Sequence, residues 1–148
     1  EDHLFEYNVF HHWGTEVICS DLDGVLCEDW NYLYETGDLE ETYKNHLENA
    51  RCLIRPTFPI GAIVTGRLEK HREATERWLK KNNVLYRQLV MYPADSPEKR
   101  NNTGYWKGHN YAASRACLFI ESCPKQSYAI RQVSGRPVLD WSQQKYWR

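Results

Sequence analysis

Short apolar runs alternate with amphipathic stretches along this chain. Thr15–Ser20 (TEVICS) and Ile60–Thr65 (IGAIVT) are β-branched and apolar, and they stop at Asp21 and Gly66 respectively; both predict buried strands ended by turn chemistry. After Gly66 the period changes. Leu68, His71, Thr75, Trp78 and Leu79 share one face at helical spacing, with Glu69, Glu73, Arg77 and Lys80 left for solvent, which predicts a helix ending near Asn82 and Asn83. Val84–Tyr92 (VLYRQLVMY) predicts the next strand, ADSPEKRNNTG a polar loop, and the stretch from about Tyr105 to Arg115 a helix. Two further strands are predicted at Cys117–Ile120 (CLFI) and Pro137–Leu139 (PVL). Between them lies a helical stretch from about Pro124 to Val133, ended by Ser134 and Gly135.

Strand, helix, strand, helix, strand is the rhythm of an α/β fold with a mostly parallel sheet of about five strands. At 148 residues, with 41% hydrophobic content that includes ten Tyr, six Trp and four Phe, the chain is sized for one domain spanning 1–148 with a real core. Residues 1–14 read as a lead-in. Residues 28–59, between the first two strands, read as a small cap-like insertion whose first part carries Glu28, Asp29, Glu35, Asp38, Glu40, Glu41 and Glu48 against the single Lys44.

Charge narrows the function classes. Nineteen basic against twenty acidic residues give no global field toward nucleic acid or membrane. The five cysteines, Cys19, Cys27, Cys52, Cys117 and Cys123, are odd in number and include no Cys-x-x-Cys pair, so they read as free thiols in a reducing, cytoplasmic setting. No run reaches the eighteen or so apolar residues of a membrane span, and EDHLFEYNVF lacks the blocks of a secretory signal. A start at Glu1 without Met leaves room for an excised piece of a longer protein.

Candidate chemistry sits at the predicted strand ends, where open parallel sheets hold their ligands. Asp21-Leu22-Asp23-Gly24 follows the first strand, and its two carboxylates are spaced to converge on one cation. A carboxylate attacking an anionic phosphate needs Mg²⁺ to screen both charges. Asp21 is then the candidate nucleophile and Asp23 the candidate acid and base. Thr65, Gly66 and Arg67 close the second strand, where a hydroxyl and N–H groups at a helix start suit a phosphate oxygen. Lys107, read near a helix start, is a candidate point cation, and Glu121-Ser122 after CLFI a candidate metal station.

The order Asp21-x-Asp23-Gly24, Thr65, Lys107, Glu121 resembles the four motifs of the haloacid dehalogenase superfamily over roughly Val17 to Leu139. The resemblance implies a Rossmann-like three-layer sandwich with a small or absent cap. It also implies a phosphatase that works through an aspartyl-phosphate, with catalytic Asp21, Asp23, Thr65 and Lys107, substrate-binding Gly66 and Arg67, and Mg²⁺ held by Asp21, Asp23 and Glu121. Glu121-Ser122-Cys123-Pro124 departs from the paired aspartates usual there. A narrower similarity, to the phosphatase-like domain attached to phosphoribosyltransferase-like proteins, rests on FEYNVFHH, DLDGVLCED, TGRLEKHREATERWL, FIESCPKQ and SGRPVL. It implies a fused or associated phosphoribosyltransferase-like domain.

A short insertion implies an open site for a small phosphorylated substrate: a phosphorylated nucleoside, a ribose compound or similar. Two alternatives stand beside it. One is a 3′-phosphatase of nucleic-acid ends, resting on Arg67, Lys70, Arg72, Arg77, Lys80 and Lys81 in one helix, Arg131, Arg136, Lys145 and Arg148 near the end, and Trp30, Tyr32, Tyr34, Trp106 and Trp141 for stacking. The other is a non-catalytic regulatory domain with the same fold. His71 and His109 are each isolated and read as ordinary helical histidines.

Overall fold

A computed structural model describes residues 9–31 and 37–148. Six strands form one sheet in the order β3-β2-β1-β4-β5-β6: β1 Ile18–Ser20, β2 Ile60–Leu68, β3 Tyr86–Tyr92, β4 Leu118–Glu121, β5 Val138–Asp140 and β6 Lys145–Trp147. The first five are parallel and β6 runs antiparallel to β5. The described residues also form helices α1 Leu39–Asn49, α2 Arg72–Lys81, α3 Thr103–Ala113 and α4 Pro124–Ser134. The chain builds outward from β1 to β3 and then returns to place β4 on the other flank of β1. The strand order therefore reverses at β1, and a crevice opens beyond the strand ends there.

Alternation of side chains across each strand divides the core in two. Ile18 and Ile120 face a cluster with Leu26, Trp78, Leu79 and Leu139, whereas Cys19 and Phe119 face one with Tyr111, Ile130 and Val138. Helix α2 covers the first face, and α3 with α4 the second. A sheet buried on both sides explains why its strands read as continuous apolar runs. The fold is α/β, compatible with a Rossmann-like sandwich. The acidic insertion is tied to the first face: the Trp78 indole N–H donates to Ala50 O at 2.8 Å, and Arg77 pairs with Glu48 at 2.9 Å.

Several elements differ from the sequence expectation. Trp13–Val17 is a 3-10 turn, so β1 begins only at Ile18; Thr15 Oγ1 donates to the Val9 and His12 carbonyls and holds that turn. Strand β2 runs on through Gly66 and Arg67 to Leu68, which pairs with Tyr92 after a shift in register, so no helix starts at Thr65. The Arg67 side chain explains the extension. It is pinned to Asp23 and to Thr75 Oγ1, which holds the backbone extended; a 3-10 turn over Glu69–His71 then leads into α2. Helix α1 inside the insertion and the short β6 were not expected. The latter follows a turn in which Asp140 Oδ1 accepts from Ser142 Oγ and the Gln143 N–H. All five cysteines are free, and among the described residues no helix is long and apolar enough to cross a membrane. Part of the 1–14 lead-in, part of the FEYNVFHH word, and Tyr32, Tyr34 and Glu35 lie outside the described residues.

Helices α3 and α4 meet through a stripe of small residues. A Cβ on Gly104 would lie 2.8 Å from Ala129 Cβ, and one on Gly108 would lie 2.8 Å from Val133 Cβ and 3.2 Å from Ile130 Cα. Gly→Ala inside a helix ordinarily stabilises by about 1 kcal/mol, but overpacking a close contact costs about 1–3 kcal/mol. Gly108→Ala is therefore expected to lower the urea midpoint. A higher midpoint for Gly108→Ala would show that the helices have room to spare.

Candidate functional site

Asp21 and Asp23 leave the end of β1, with the Asp21 N–H still donating to Ile120 O at 2.8 Å. A tight turn follows, in which the Gly24 N–H bonds Cys27 O and the Leu26 N–H bonds Leu22 O. Gly24 has φ +83°, and a Cβ there would stand 2.4 Å from Ser122 Oγ, so the loops after β1 and β4 approach as closely as they do only because this residue is glycine. Ser122 Oγ uses the gap to donate to Asp23 O at 3.1 Å.

One charged cluster lies at the floor. Lys107, in the middle of α3 and not at its start, is 2% exposed, with Nζ 3.0 Å from Asp21 Oδ1 and 2.6 Å from Glu121 Oε2. Glu121 is fully buried at the end of β4, and its Oε1 accepts the N–H groups of Ser122 and Cys123. Asp21 Oδ1 also accepts the Leu22 N–H at 2.8 Å. Two carboxyl groups share one ammonium in a dry place. Burial and the neighbouring Glu121 push the Asp21 carboxyl well above the ordinary range, against the pull of Lys107. Burial disfavours the Lys107 ammonium, but Asp21 and Glu121 more than offset it and raise its pKa.

A second cluster surrounds Asp23. The Arg67 guanidinium grips it bidentately, Nε to Oδ2 at 2.8 Å and Nη2 to Oδ1 at 2.6 Å. His46 Nε2 lies 3.2 Å and Cys27 Sγ 3.4 Å from the same Oδ1. Burial alone would raise Asp23, yet the guanidinium prevails and holds the carboxyl far below the usual range. Burial, with Asp23 alongside, drives the Cys27 thiol far upward, so it is no thiolate.

The sequence-derived residues thus converge, in two groups. Asp21, Lys107 and Glu121 form one, and Asp23 with Arg67 the other. Arg67 is buried and spent on Asp23, while Thr65, 1% exposed, accepts the Arg67 N–H on its Oγ1 from within β2. Asp21, Asp23, Thr65, Gly66, Arg67 and Lys107 all border one cavity of about 570 Å³. His46 and Tyr43 of α1 were missed, although Leu39, Tyr43, His46, Leu47 and Ala50 repeat at helical spacing behind Asp38, whose carboxylate caps the Glu40 N–H.

Magnesium takes oxygen ligands. The excess of buried carboxylate around Asp21 and Glu121 fits such a cation, although Glu121 has both oxygens engaged. Among the described residues, Asp23, Cys27 and His46 are another set with metal-ligating atoms within 4.8 Å of one another. That mixed set suits a softer ion than Mg²⁺, and Arg67, with Nη2 3.5 Å from Cys27 Sγ, already supplies positive charge there. Basic residues proposed for nucleic acid are partly paired on the protein surface: Arg72 with Glu69 and Glu76, and Arg77 with Glu73 and Glu48. Trp106 packs on Tyr92 and Trp141 on Phe10. No family model matches the chain, and no curated protein or solved structure matches it either.

Removing one partner of a buried ionic group costs about 3–5 kcal/mol. Lys107→Met should lose about that much in urea unfolding, and adding Asp21→Asn should restore part of it. Full additivity of the two changes would mean that the groups do not interact. Asp23 carries a separate signature. Its folded pKa is depressed, so its contribution is fully present above the unfolded value of 3.8 and is lost as pH falls through the lower folded value. The stability gap between wild type and Asp23→Asn should stay flat from neutral pH to about pH 5 and close only well below pH 3.8. A gap that closes between pH 5 and 7 would rule out the Arg67 clamp as its source.

Proposed function

We propose that this chain is a phosphomonoesterase of the haloacid dehalogenase type, acting on a small phosphorylated substrate through an aspartyl-phosphate on Asp21. The observation that carries the reading is the buried Asp21 carboxylate at the end of β1, beside the strand-order reversal, with the Lys107 ammonium 3.0 Å away and a cavity of about 570 Å³ above it. A strand end fixes a nucleophile rigidly, and the adjacent Lys107 ammonium offsets part of the burial that disfavours its ionised form. Lys107 also offers charge to the transferring phosphoryl oxygens. Thr65, within the neighbouring strand β2, borders the same cavity.

In the first step an Asp21 oxygen forms a bond to phosphorus as the bond to the leaving oxygen breaks, and the leaving oxygen takes a proton from Asp23. In the second, water attacks phosphorus, its proton passes to Asp23, and the bond to Asp21 breaks to release phosphate. The base half of this role suits the Asp23 carboxylate, kept ionised by Arg67. The acid half needs the guanidinium grip to loosen as phosphate enters. Mg²⁺, held by Asp21, the Asp23 main-chain oxygen and Glu121, would screen charge between nucleophile and phosphate. The similarity noted in the sequence would place a phosphoribosyltransferase-like domain alongside and favours a phosphorylated nucleoside or ribose compound.

Hydrolysis of p-nitrophenyl phosphate with Mg²⁺ or EDTA tests the reading. Asp21→Asn, nearly isosteric, should lose about three orders of magnitude or more in kcat while melting cooperatively like wild type. Wild-type turnover in that variant, or none in the wild type with Mg²⁺, would overturn it.

A further inference from the structure

One wall of the cavity is aromatic. The Tyr43 ring lies 4.7 Å between centroids from Trp30, tilted by 55°, and 5.5 Å edge-on from His71. The three rings come from three separate segments: the turn after β1, helix α1 and the 3-10 turn before α2. All three are half-buried and line the cavity, and none belongs to either apolar core cluster. Lys70 and Arg100 border the same space.

Tyr43 and His71 line the cavity while only half-buried, so their rings keep apolar surface for a ligand. A saturated sugar ring offers an aromatic side chain only its C–H faces, whereas a planar heterocycle stacks on it over its whole π-face. The volume falls within the range of small-molecule sites and exceeds what a phosphate group alone would fill. At the rim Lys44 is paired with Glu40, and Lys70 and Arg100 outnumber the remaining Asp29, a balance that admits an anionic ligand.

We propose that Tyr43, with Trp30 and His71, binds the base of a mononucleotide whose phosphate reaches the Asp21 floor, so that nucleotides are preferred over sugar phosphates and aliphatic phosphate esters. The position of the reacting phosphate rests on the phosphatase reading above; the ring site does not. Because stacking tolerates every base, purine and pyrimidine nucleotides are both accommodated.

Calorimetric titration of the Asp21→Asn chain in Mg²⁺ with adenosine and cytidine 3′- and 5′-monophosphates and with ribose 5-phosphate tests this. At least one nucleotide should bind roughly 5- to 100-fold more tightly than ribose 5-phosphate, the range for one base–aromatic stack. Tyr43→Leu, which keeps apolar bulk without a ring, should bring the ratio close to one, and Tyr43→Phe should preserve it. If Tyr43→Leu fails to melt cooperatively, His71→Leu should lower the ratio in the same direction. No preference for the base, or a preference indifferent to the loss of these rings, overturns the proposal. Mg²⁺- and Asp21-dependent hydrolysis of nucleotides and ribose 5-phosphate at equal kcat/KM would overturn it while leaving the phosphatase reading intact. A ring-dependent preference in a chain without any turnover would do the reverse.

Discussion

An ammonium without water must sit against carboxylates, and Lys107 at 2% exposure is bound by that rule. Its Nζ reaches Asp21 on β1 and Glu121 on β4, so those strands must be neighbours with their ends level; the register Ser20 opposite Ile120 provides this. Helix α3 must also lie close to the sheet, wedged by α4. The Gly104 and Gly108 contacts with Ala129 and Val133 give that approach on the helix face next to Lys107. The core packing and the charged floor are therefore one constraint: moving α3 outward by the width of a methyl group would strip a buried ammonium of its partners.

The two aspartates of the Asp21-x-Asp23 pair end in opposite electrostatic environments although a single residue separates them. Asp21 shares one ammonium with Glu121 and is pushed up, while Asp23 has a whole guanidinium to itself and is pushed down. Divergent environments for adjacent carboxyls are how sites assign different roles to like groups. The polarity found here makes Asp23 the readily ionised member. A nucleophilic Asp21 needs more positive charge than Lys107 alone supplies, which is where the proposed divalent cation has its electrostatic reason.

Much of this was legible in the chain because strand ends are marked by abrupt changes from apolar to charged residues. The runs ending at Asp21 and Glu121 sit within one to three residues of the observed strands, and the alternation of elements identified an α/β sheet. What was not legible depended on contacts distant in sequence. Thr65-Gly66-Arg67 looks like a strand-to-helix junction until Arg67 is seen to reach Asp23, forty-four positions away in sequence, and to hold the strand extended. Lys107 reads as a candidate cation, but near a helix start and without any local mark of its burial in mid-helix. Strand β6, three residues long with its pairing set by the Asp140 turn, has too little pattern to stand out. Helix α1 is the different case: its periodicity was present but overshadowed by the density of acidic residues on its exposed side.

That helix changes what the insertion is for. The carbonyl of Ala50 receives the Trp78 indole N–H, and Glu48 pairs with Arg77, so α1 is anchored to α2 at its C-terminal end. Anchored there, it presents His46 to Asp23 and Tyr43 to the cavity. The same 11-residue helix touches the proposed chemistry at one turn and the proposed ring site at the previous one. Selection of the leaving group and control of Asp23 are thereby set by one rigid element, so a substitution that tilts α1 would change both together. A free loop of the same length could alter either alone.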